Sequence, residues 1–157
     1  MKNTQGVLMF LASLALTSLA FGSADKASVG QTLPSLKLEY LTTAPDYAGK
    51  PMIVEFWATW CPPCRTSIPH LNEVYAKYKD KGLIVIGVTK EKKDVVTAFL
   101  KNTPMDYFPA IDATGVLGKG FGVTGIPHAL LVDKTGKIIW EGHPMSLTDK
   151  QISMALK

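Results

Sequence analysis

Two β-prone runs near the middle of the chain predict buried strands with a helix between them. The runs occupy residues 52–57 and 83–88 and are rich in β-branched side chains. Between them, residues 62–81 repeat apolar side chains at helical spacing, and Gly82 fits the end of a helix. A strand, a helix and a second strand in this order predict a parallel pair of strands that is buried on both faces.

The rest of the chain predicts shorter elements on either side of this unit. Short strands are predicted at residues 36–40, 107–111, 129–132 and 138–141. Helices are predicted at 92–101, with Val95, Val96, Phe99 and Leu100 toward the core, and from residue 147 or 148 to 156, with a turn or short helix at 115–123. A capping pattern from Ser146 to Asp149 opens the last helix. The whole pattern predicts an α/β protein with a central mixed β-sheet that is flanked by helices on both faces.

The amino-terminal region has the composition of an export signal. An apolar run at residues 7–21 follows Lys2 and precedes small residues, which is typical of a secretory signal peptide. The run is shorter than the roughly 20 apolar residues that span a bilayer. We therefore expect residues 1–24 to be a signal peptide, with an uncleaved membrane anchor as the alternative, and residues 25–157 to form one domain. This domain is expected to be periplasmic or otherwise extracytoplasmic.

The charge of the chain gives no indication of a nucleic-acid partner. The formal net charge is +4 at pH 7. The basic residues are scattered along the sequence and do not form a stripe with aromatic residues between them. We expect a solvated surface and no binding to nucleic acid.

The chemistry of the sequence is concentrated in its two cysteines, Cys61 and Cys64, which are separated by two prolines at the start of the long predicted helix. The unpaired N–H groups of a helix N-terminus stabilise a thiolate, which is the attacking species in disulfide exchange. Cys61 is then the nucleophile and Cys64 the resolving thiol. A structural disulfide or half of a zinc site is the alternative, although the sequence holds no second cysteine or histidine pair at zinc spacing. A redox dithiol of this kind requires no organic cofactor and no metal.

Four motifs give the chain a resemblance to a known family. They are residues 54–60 leading into the cysteine pair at 61–64, Pro69 within the long helix, residues 125–127 (Gly-Ile-Pro), and residues 132–137 (Val-Asp-Lys-Thr-Gly-Lys). From about residue 29 to 157 the chain resembles the TlpA-like exported thiol-disulfide oxidoreductases of the thioredoxin superfamily. The resemblance implies the thioredoxin fold.

The resemblance also implies how a substrate would be held. Pro127 would be the cis-proline that faces the disulfide, and the main chain of Ile126 would pair with an extended substrate segment as an added strand. Trp60 flanks the nucleophile and would shield one side of the dithiol. His128 departs from the small hydroxyl residue that is common at its position. It could tune the thiolate, contact the substrate or point away along the strand.

Glu55 is a carboxylate within an otherwise apolar predicted strand. By resemblance it takes the place of the buried aspartate that thioredoxins have beneath the resolving cysteine. Burial penalises the charged form of a carboxylate, so we expect its pKa to be raised and its role to be that of an acid or base. A solvent-reaching residue at a strand edge is the alternative.

The function that these features predict is the reduction of disulfides in exported proteins by an extracytoplasmic enzyme. Since the surroundings are oxidising, a membrane electron donor is expected to restore the dithiol, and the resemblance suggests a DsbD-like protein. Contact with that membrane protein would be transient, and we expect a monomer. A disulfide oxidase or isomerase is the alternative, and a Cu(I)-binding chaperone that uses Cys61, Cys64 and His128 is a third.

Overall fold

A mixed sheet of six strands forms the centre of the molecule in the computed structural model, which describes residues 29–157. The strands are β1 (Glu39–Tyr40), β2 (Met52–Phe56), β3 (Ile84–Thr89), β4 (Phe108–Ile111), β5 (His128–Val132) and β6 (Ile138–Gly142). The predicted signal peptide, residues 1–24, lies outside the described residues. Within residues 29–157, no helix is both long enough and apolar enough to cross a membrane.

The strand order across the sheet is β1-β4-β3-β2-β5-β6. Strands β2, β3 and β4 are parallel, whereas β1, β5 and β6 each run antiparallel to the neighbour that they join. The long apolar runs thus form the centre of the sheet, as their burial requires. Glu55 lies between Gly87 of β3 and Ala129 of β5, so it occupies a central position and not an edge.

Between residues 29 and 157, four α-helices and two short 3-10 turns accompany the sheet. The helices are α1 (Pro62–Tyr78), α2 (Lys93–Leu100), α3 (Val116–Gly120) and α4 (Asp149–Ala155). Helix α1 has proline in its first turn, where a missing N–H costs no hydrogen bond. A 3-10 turn (Lys79–Lys81) extends it, and Gly82 ends this turn at a φ of 93°, which favours glycine.

Apolar side chains pack on both faces of the sheet. On one face Ile53, Val85 and Leu131 pack with residues of α1 and α4, namely Leu71, Val74, Ile152 and Ala155. On the other face Val54, Ile86 and Leu130 pack with residues around α3 and the amino-terminal segment, namely Phe121, Leu117, Leu36 and Leu38. The prediction of a mixed sheet with helices on both faces is confirmed.

Three details of the sequence prediction are wrong. Strand β1 has only two residues. Among the apolar residues of α2, only Val96 is buried and Val95 is exposed, because this short helix covers the sheet with a narrow stripe. Helix α4 is capped by Thr148 and Gln151, which form a reciprocal capping box, and not by Ser146 and Asp149.

Candidate active site

The cysteine pair lies where the central strand β2 meets helix α1. Cys61 is the N-cap of α1, and its Sγ accepts a hydrogen bond from the backbone N–H of Cys64 over 3.3 Å. The two cysteines are joined by a disulfide, with Cys61 2% and Cys64 0% exposed. Both cysteines are therefore buried, and Cys61, as the N-cap, faces the positive end of a long helix.

The loop before β5 faces this disulfide. The Ile126–Pro127 peptide bond is cis. The carbonyl oxygen of Ile126 lies 3.8 Å from Sγ of Cys61. Trp60, which precedes the nucleophile, is 69% exposed, so its indole is available to a partner molecule. The structure thus places the Ile126–Pro127 loop beside Cys61, with the exposed Trp60 on the residue before it.

Glu55 is fully buried in the sheet beneath α1. Its Oε1 accepts a hydrogen bond from the Ser67 hydroxyl over 2.5 Å, and its Oε2 accepts one from the Tyr107 hydroxyl over 3.1 Å. Burial raises the pKa of Glu55 from 4.5 to about 7, although the two hydroxyl donors oppose that rise. A carboxyl group with this pKa can gain or lose a proton near neutral pH. The alternative of a solvent-reaching edge residue is wrong.

Ser67 and Tyr107 are residues of this site that the sequence analysis missed. Ser67 lies in α1 one turn after Cys64, and its hydroxyl oxygen also lies 2.8 Å from the Cys64 carbonyl oxygen, which is an alternative acceptor for its proton. The sequence feature that could have indicated Ser67 is a hydroxyl residue within the apolar stripe of the helix. Tyr107 immediately precedes β4, 52 positions after Glu55, and no local pattern indicated it.

The loop ahead of the dithiol is held by a half-buried contact with Glu91. The Glu91 carboxylate accepts hydrogen bonds from the Thr59 backbone N–H over 2.6 Å and from the Thr59 hydroxyl over 2.7 Å. The Thr89 hydroxyl also lies within 3.3 Å of this carboxylate. These contacts fix the residue before Trp60 to the end of β3, which orients the approach to Cys61.

His128 occupies the other side of the sheet from α1. It pairs across the strands with Phe56, and its alternation places it on the face of Leu130. Its Nε2 lies 3.8 Å from Oε2 of Glu141. No group of three or more His, Cys, Asp or Glu side chains among residues 29–157 could hold a metal ion.

A cavity of about 410 Å³ opens next to Trp60, between the cis-proline loop and α3. Its walls include Phe56, Trp60, Val88, Gly118, Val123 and Ile126. Its charged lining residues are two lysines, Lys90 and Lys119, and two carboxylates, Glu91 and Asp112. The sequence analysis did not predict this cavity.

Comparisons with known proteins agree with this geometry. The Redoxin family matches residues 28–155. The thiol-disulfide oxidoreductase ResA of Bacillus cereus is 35% identical over 126 residues, which cover 77% of this chain and 73% of ResA. The thiol:disulfide interchange protein DsbE of Yersinia pestis is 33% identical over 135 residues, which cover 80% of this chain and 69% of DsbE.

Solved structures show the same similarity. A crystal structure from Chlorobium tepidum, assigned provisionally to the thiol:disulfide interchange proteins of the DsbE type, superposes with a TM-score of 0.78 at 31% sequence identity and covers 84% of this chain and 100% of that one. A second structure, of a thiol:disulfide interchange protein of the thioredoxin family from Chlorobium tepidum TLS, superposes with a TM-score of 0.69 at 27% identity and covers 83% and 99%.

Proposed function

Because this chain belongs to the Redoxin family, has the thioredoxin fold and is a thiol-disulfide oxidoreductase, we propose that it reduces disulfides of exported proteins outside the cytoplasm. One observation carries the proposal. Sγ of Cys61 lies at the start of α1 and 3.8 Å from the main-chain oxygen of Ile126, so a substrate strand that pairs with Ile126 presents its disulfide to Cys61. The relatives named ResA and DsbE support a thiol-disulfide role of this kind.

The reaction consists of two exchanges between sulfur atoms. In the reduced protein, the Cys61 thiolate attacks one sulfur of a substrate disulfide, and the other substrate sulfur leaves as a thiolate that takes up a proton. Cys64 then loses its proton and attacks Sγ of Cys61, which releases the second substrate sulfur as a thiolate. The substrate gains two electrons as a pair of thiols, and the protein ends with the Cys61–Cys64 disulfide seen in the structure.

Glu55 takes the proton of Cys64 in the second exchange and later returns it. Its pKa of about 7 suits both directions near neutral pH. Ser67 connects the two groups, because its hydroxyl oxygen contacts both Glu55 and the backbone of Cys64. Glu55 is thus an acid and base that acts on the resolving cysteine, from a position closed to bulk water.

The remaining residues of the site bind the substrate. The main chain of Ile126 pairs with the substrate segment. Pro127 has no backbone N–H, so this part of the loop forms no strand hydrogen bond of its own through that residue and stays open to the substrate. Trp60 packs against the substrate from the other side of Cys61, which its 69% exposure permits. His128, at the start of β5 and half-buried, contacts the substrate on the side of α3.

The location and the electron donor follow from the direction of the reaction. The amino-terminal residues 1–24 export the chain as a signal peptide or hold it as an anchor, and the domain works in an oxidising compartment. A reductase there needs electrons from the cytoplasmic side, so a membrane protein of the DsbD type reduces the Cys61–Cys64 disulfide by transient contact. The protein acts as a monomer and requires neither a metal nor an organic cofactor.

A Cys64→Ser variant tests this proposal when it is expressed with its own amino-terminal segment. The first exchange then proceeds and the second cannot, so mixed disulfides between Cys61 and exported proteins accumulate. A Cys61→Ser variant is the matched control and should trap nothing. If neither variant accumulated mixed disulfides, the mechanism would be overturned. A reduction potential of about −120 mV, typical of strong oxidants, would overturn the reducing direction but not the exchange mechanism.

A further inference from the structure

Two hydroxyl groups hold the buried carboxyl group of Glu55, one at each oxygen. Ser67 of α1 donates to Oε1, and Tyr107, in the segment that leads into β4, donates to Oε2. Burial and these two hydroxyls shift the pKa of Glu55, with no contribution from a charged side chain among residues 29–157. The two hydroxyls therefore decide which oxygen can carry the proton when Glu55 is an acid.

The two hydroxyl groups differ in the other acceptors that they can reach. The Ser67 hydroxyl also lies 2.8 Å from the Cys64 carbonyl oxygen, so it can turn there when Oε1 carries a proton. Within the described residues, the Tyr107 hydroxyl has no acceptor besides Oε2. Burial, and after it the charge of Glu55, holds the pKa of Tyr107 well above its usual value of 10, so this hydroxyl stays a donor. A proton on Oε2 would leave the buried phenol proton without a partner, which is unfavourable.

The backbone of β3 makes room for the tyrosine ring at Gly87. This glycine pairs with Glu55 of β2, and a Cβ on it would lie 3.1 Å from Cε2 of Tyr107 and 3.2 Å from Nε1 of Trp57. Such contacts are tighter than most real Cβ contacts, so an added methyl group would displace one of the two rings. The tyrosine ring is buried in the core that lies beneath α1. Tyr107 is therefore held where its hydroxyl reaches Oε2.

We propose that Tyr107 is a positioning residue that keeps the exchangeable proton of Glu55 on Oε1, the oxygen on the side of α1 and its resolving cysteine. The inference rests on the proposed role of Glu55 as acid and base, and it names the oxygen that exchanges the proton. In the second exchange the Cys64 proton passes to Oε1 while Sγ of Cys64 bonds to Sγ of Cys61. The substrate sulfur then leaves Cys61 with the electron pair of the broken bond.

Infrared spectroscopy of the oxidised protein at pH 5 locates the proton. At this pH Glu55, whose pKa is about 7, is the neutral acid, and its C=O band is identified by its absence in Glu55→Gln. A proton on Oε1 leaves Oε2 as the carbonyl oxygen, and the hydrogen bond from Tyr107 lowers the frequency of that C=O group. Tyr107→Phe should therefore move the band to higher frequency, and Ser67→Ala should move it less. The opposite order would place the proton on Oε2 and overturn the inference.

Stopped-flow measurements on the reduced protein test the consequence for the reaction. Excess dithiobis(nitrobenzoic acid) releases one coloured thiolate when Cys61 attacks it and a second when Cys64 resolves the mixed disulfide. Tyr107→Phe should slow the second release by about fivefold at pH 7, the effect of one lost hydrogen bond, and should leave the first unchanged. The midpoint of the pH profile of the second release should move to higher pH, because the lost donor stabilised the carboxylate.

Matched variants separate positioning from a general effect on the structure. Tyr78 also donates to a carboxylate, that of Asp149, but at the other end of α1 from the dithiol. Tyr78→Phe should change neither the band nor the second release. Gly87→Ala should shift the band as Tyr107→Phe does, although the hydroxyl is retained, because the added methyl group displaces the ring.

Gly118→Ala is the control for the added methyl group, since its Cβ would lie in ordinary contact, 3.6 Å from the Phe56 ring, on the α3 side of the sheet. It should leave the Glu55 band in place. If Gly87→Ala does not fold, Tyr107→Phe, which keeps the ring, still decides the question.

The outcomes distinguish this inference from the proposed function. An unchanged band and an unchanged second release in Tyr107→Phe would overturn the positioning role and leave the reductase standing. An unchanged second release in Glu55→Gln would overturn the proposed role of Glu55 as the base. Release of only one thiolate by the wild-type protein, with Cys64 still a free thiol, would overturn the dithiol exchange itself.

Discussion

The Ser67 hydroxyl donates a hydrogen bond to Oε1 of Glu55 over 2.5 Å. The hydroxyl oxygen of Ser67 also lies 2.8 Å from the carbonyl oxygen of Cys64. A serine has one hydroxyl proton, so it can donate to only one of these acceptors at a time. When Glu55 is ionised, Ser67 donates to the carboxylate. When Glu55 is protonated, the acid can donate to Ser67, which then donates to the Cys64 carbonyl. The protonation of Glu55 is thus coupled to the backbone of the resolving cysteine.

Replacement of Ser67 by alanine should raise the pKa of Glu55 above its value of about 7. The hydroxyl stabilises the charged carboxylate, so its loss favours the neutral acid. The measurement is a titration of the glutamate side-chain carbonyl resonances by ¹³C NMR in the oxidised protein. Ser146→Ala, at an exposed position far from Glu55, is the control. An unchanged titration in Ser67→Ala would show that Ser67 does not donate to this carboxylate.

The stability of the protein should depend on pH through Glu55. Its pKa is 4.5 as a free group and about 7 in the folded state, so the folded state binds more protons between these values. The stabilising contribution is therefore complete below about pH 4.5 and is lost as the pH rises through 7. The full loss corresponds to roughly 3 kcal/mol.

Glu55→Gln should remove this dependence, because the amide is neutral throughout. Relative to the wild type, the variant should gain roughly 3 kcal/mol in the free energy of unfolding between pH 4.5 and pH 8. Urea denaturation of the two oxidised proteins across this range measures the difference. Glu73→Gln, on the exposed side of α1, is the control, and its free energy of unfolding should change with pH as that of the wild type does. If the free energy of unfolding of Glu55→Gln had the same pH dependence as that of the wild type, Glu55 would not be buried in its acid form.

The sequence allowed the central elements of the fold to be predicted because their physical causes are local. Apolar runs of strand length gave β2 and β3, and two prolines followed by helical spacing gave α1. The burial of Glu55 could be predicted for the same reason, since a residue in the middle of a central strand cannot reach solvent. The resemblance to TlpA-like proteins is confirmed by the Redoxin match and by the ResA and DsbE relatives.

Contacts between distant parts of the chain could not be predicted. Tyr107 reaches Glu55 from 52 positions away, and only the pairing of β4 with β3 brings it there. Helical spacing indicates which side of α2 is apolar but not how many of its residues contact the core. Val95 is therefore exposed, although its spacing predicts a core position. The cavity requires Gly118 and Phe56 to meet, and no local pattern encodes that distance.

The two cysteines of the reduced protein should differ in reactivity toward alkylating agents. Cys61 is the N-cap of α1 and receives the Cys64 N–H, whereas Cys64 is fully buried. The helix N-terminus therefore favours the Cys61 thiolate over that of Cys64. At pH 7, iodoacetamide should modify Cys61 at least about tenfold faster than Cys64. Peptide mapping by mass spectrometry after timed quenching measures the two rates. Equal rates would contradict the roles assigned to these cysteines.

His128→Ala should leave the reactivity of Cys61 unchanged, although His128 follows the cis-proline directly. Its side chain lies on the α3 face with Glu141 as its charged neighbour, and the dithiol packs with α1 and α2 on the opposite face. A charge separated from the thiolate by the sheet and countered by a carboxylate has little effect on it. We expect the rate of Cys61 alkylation to follow the wild-type profile from pH 5 to 9 within about twofold. His143→Ala in the exposed turn after β6 is the control. A profile that moves to higher pH only in His128→Ala would show that the imidazolium stabilises the Cys61 thiolate after all.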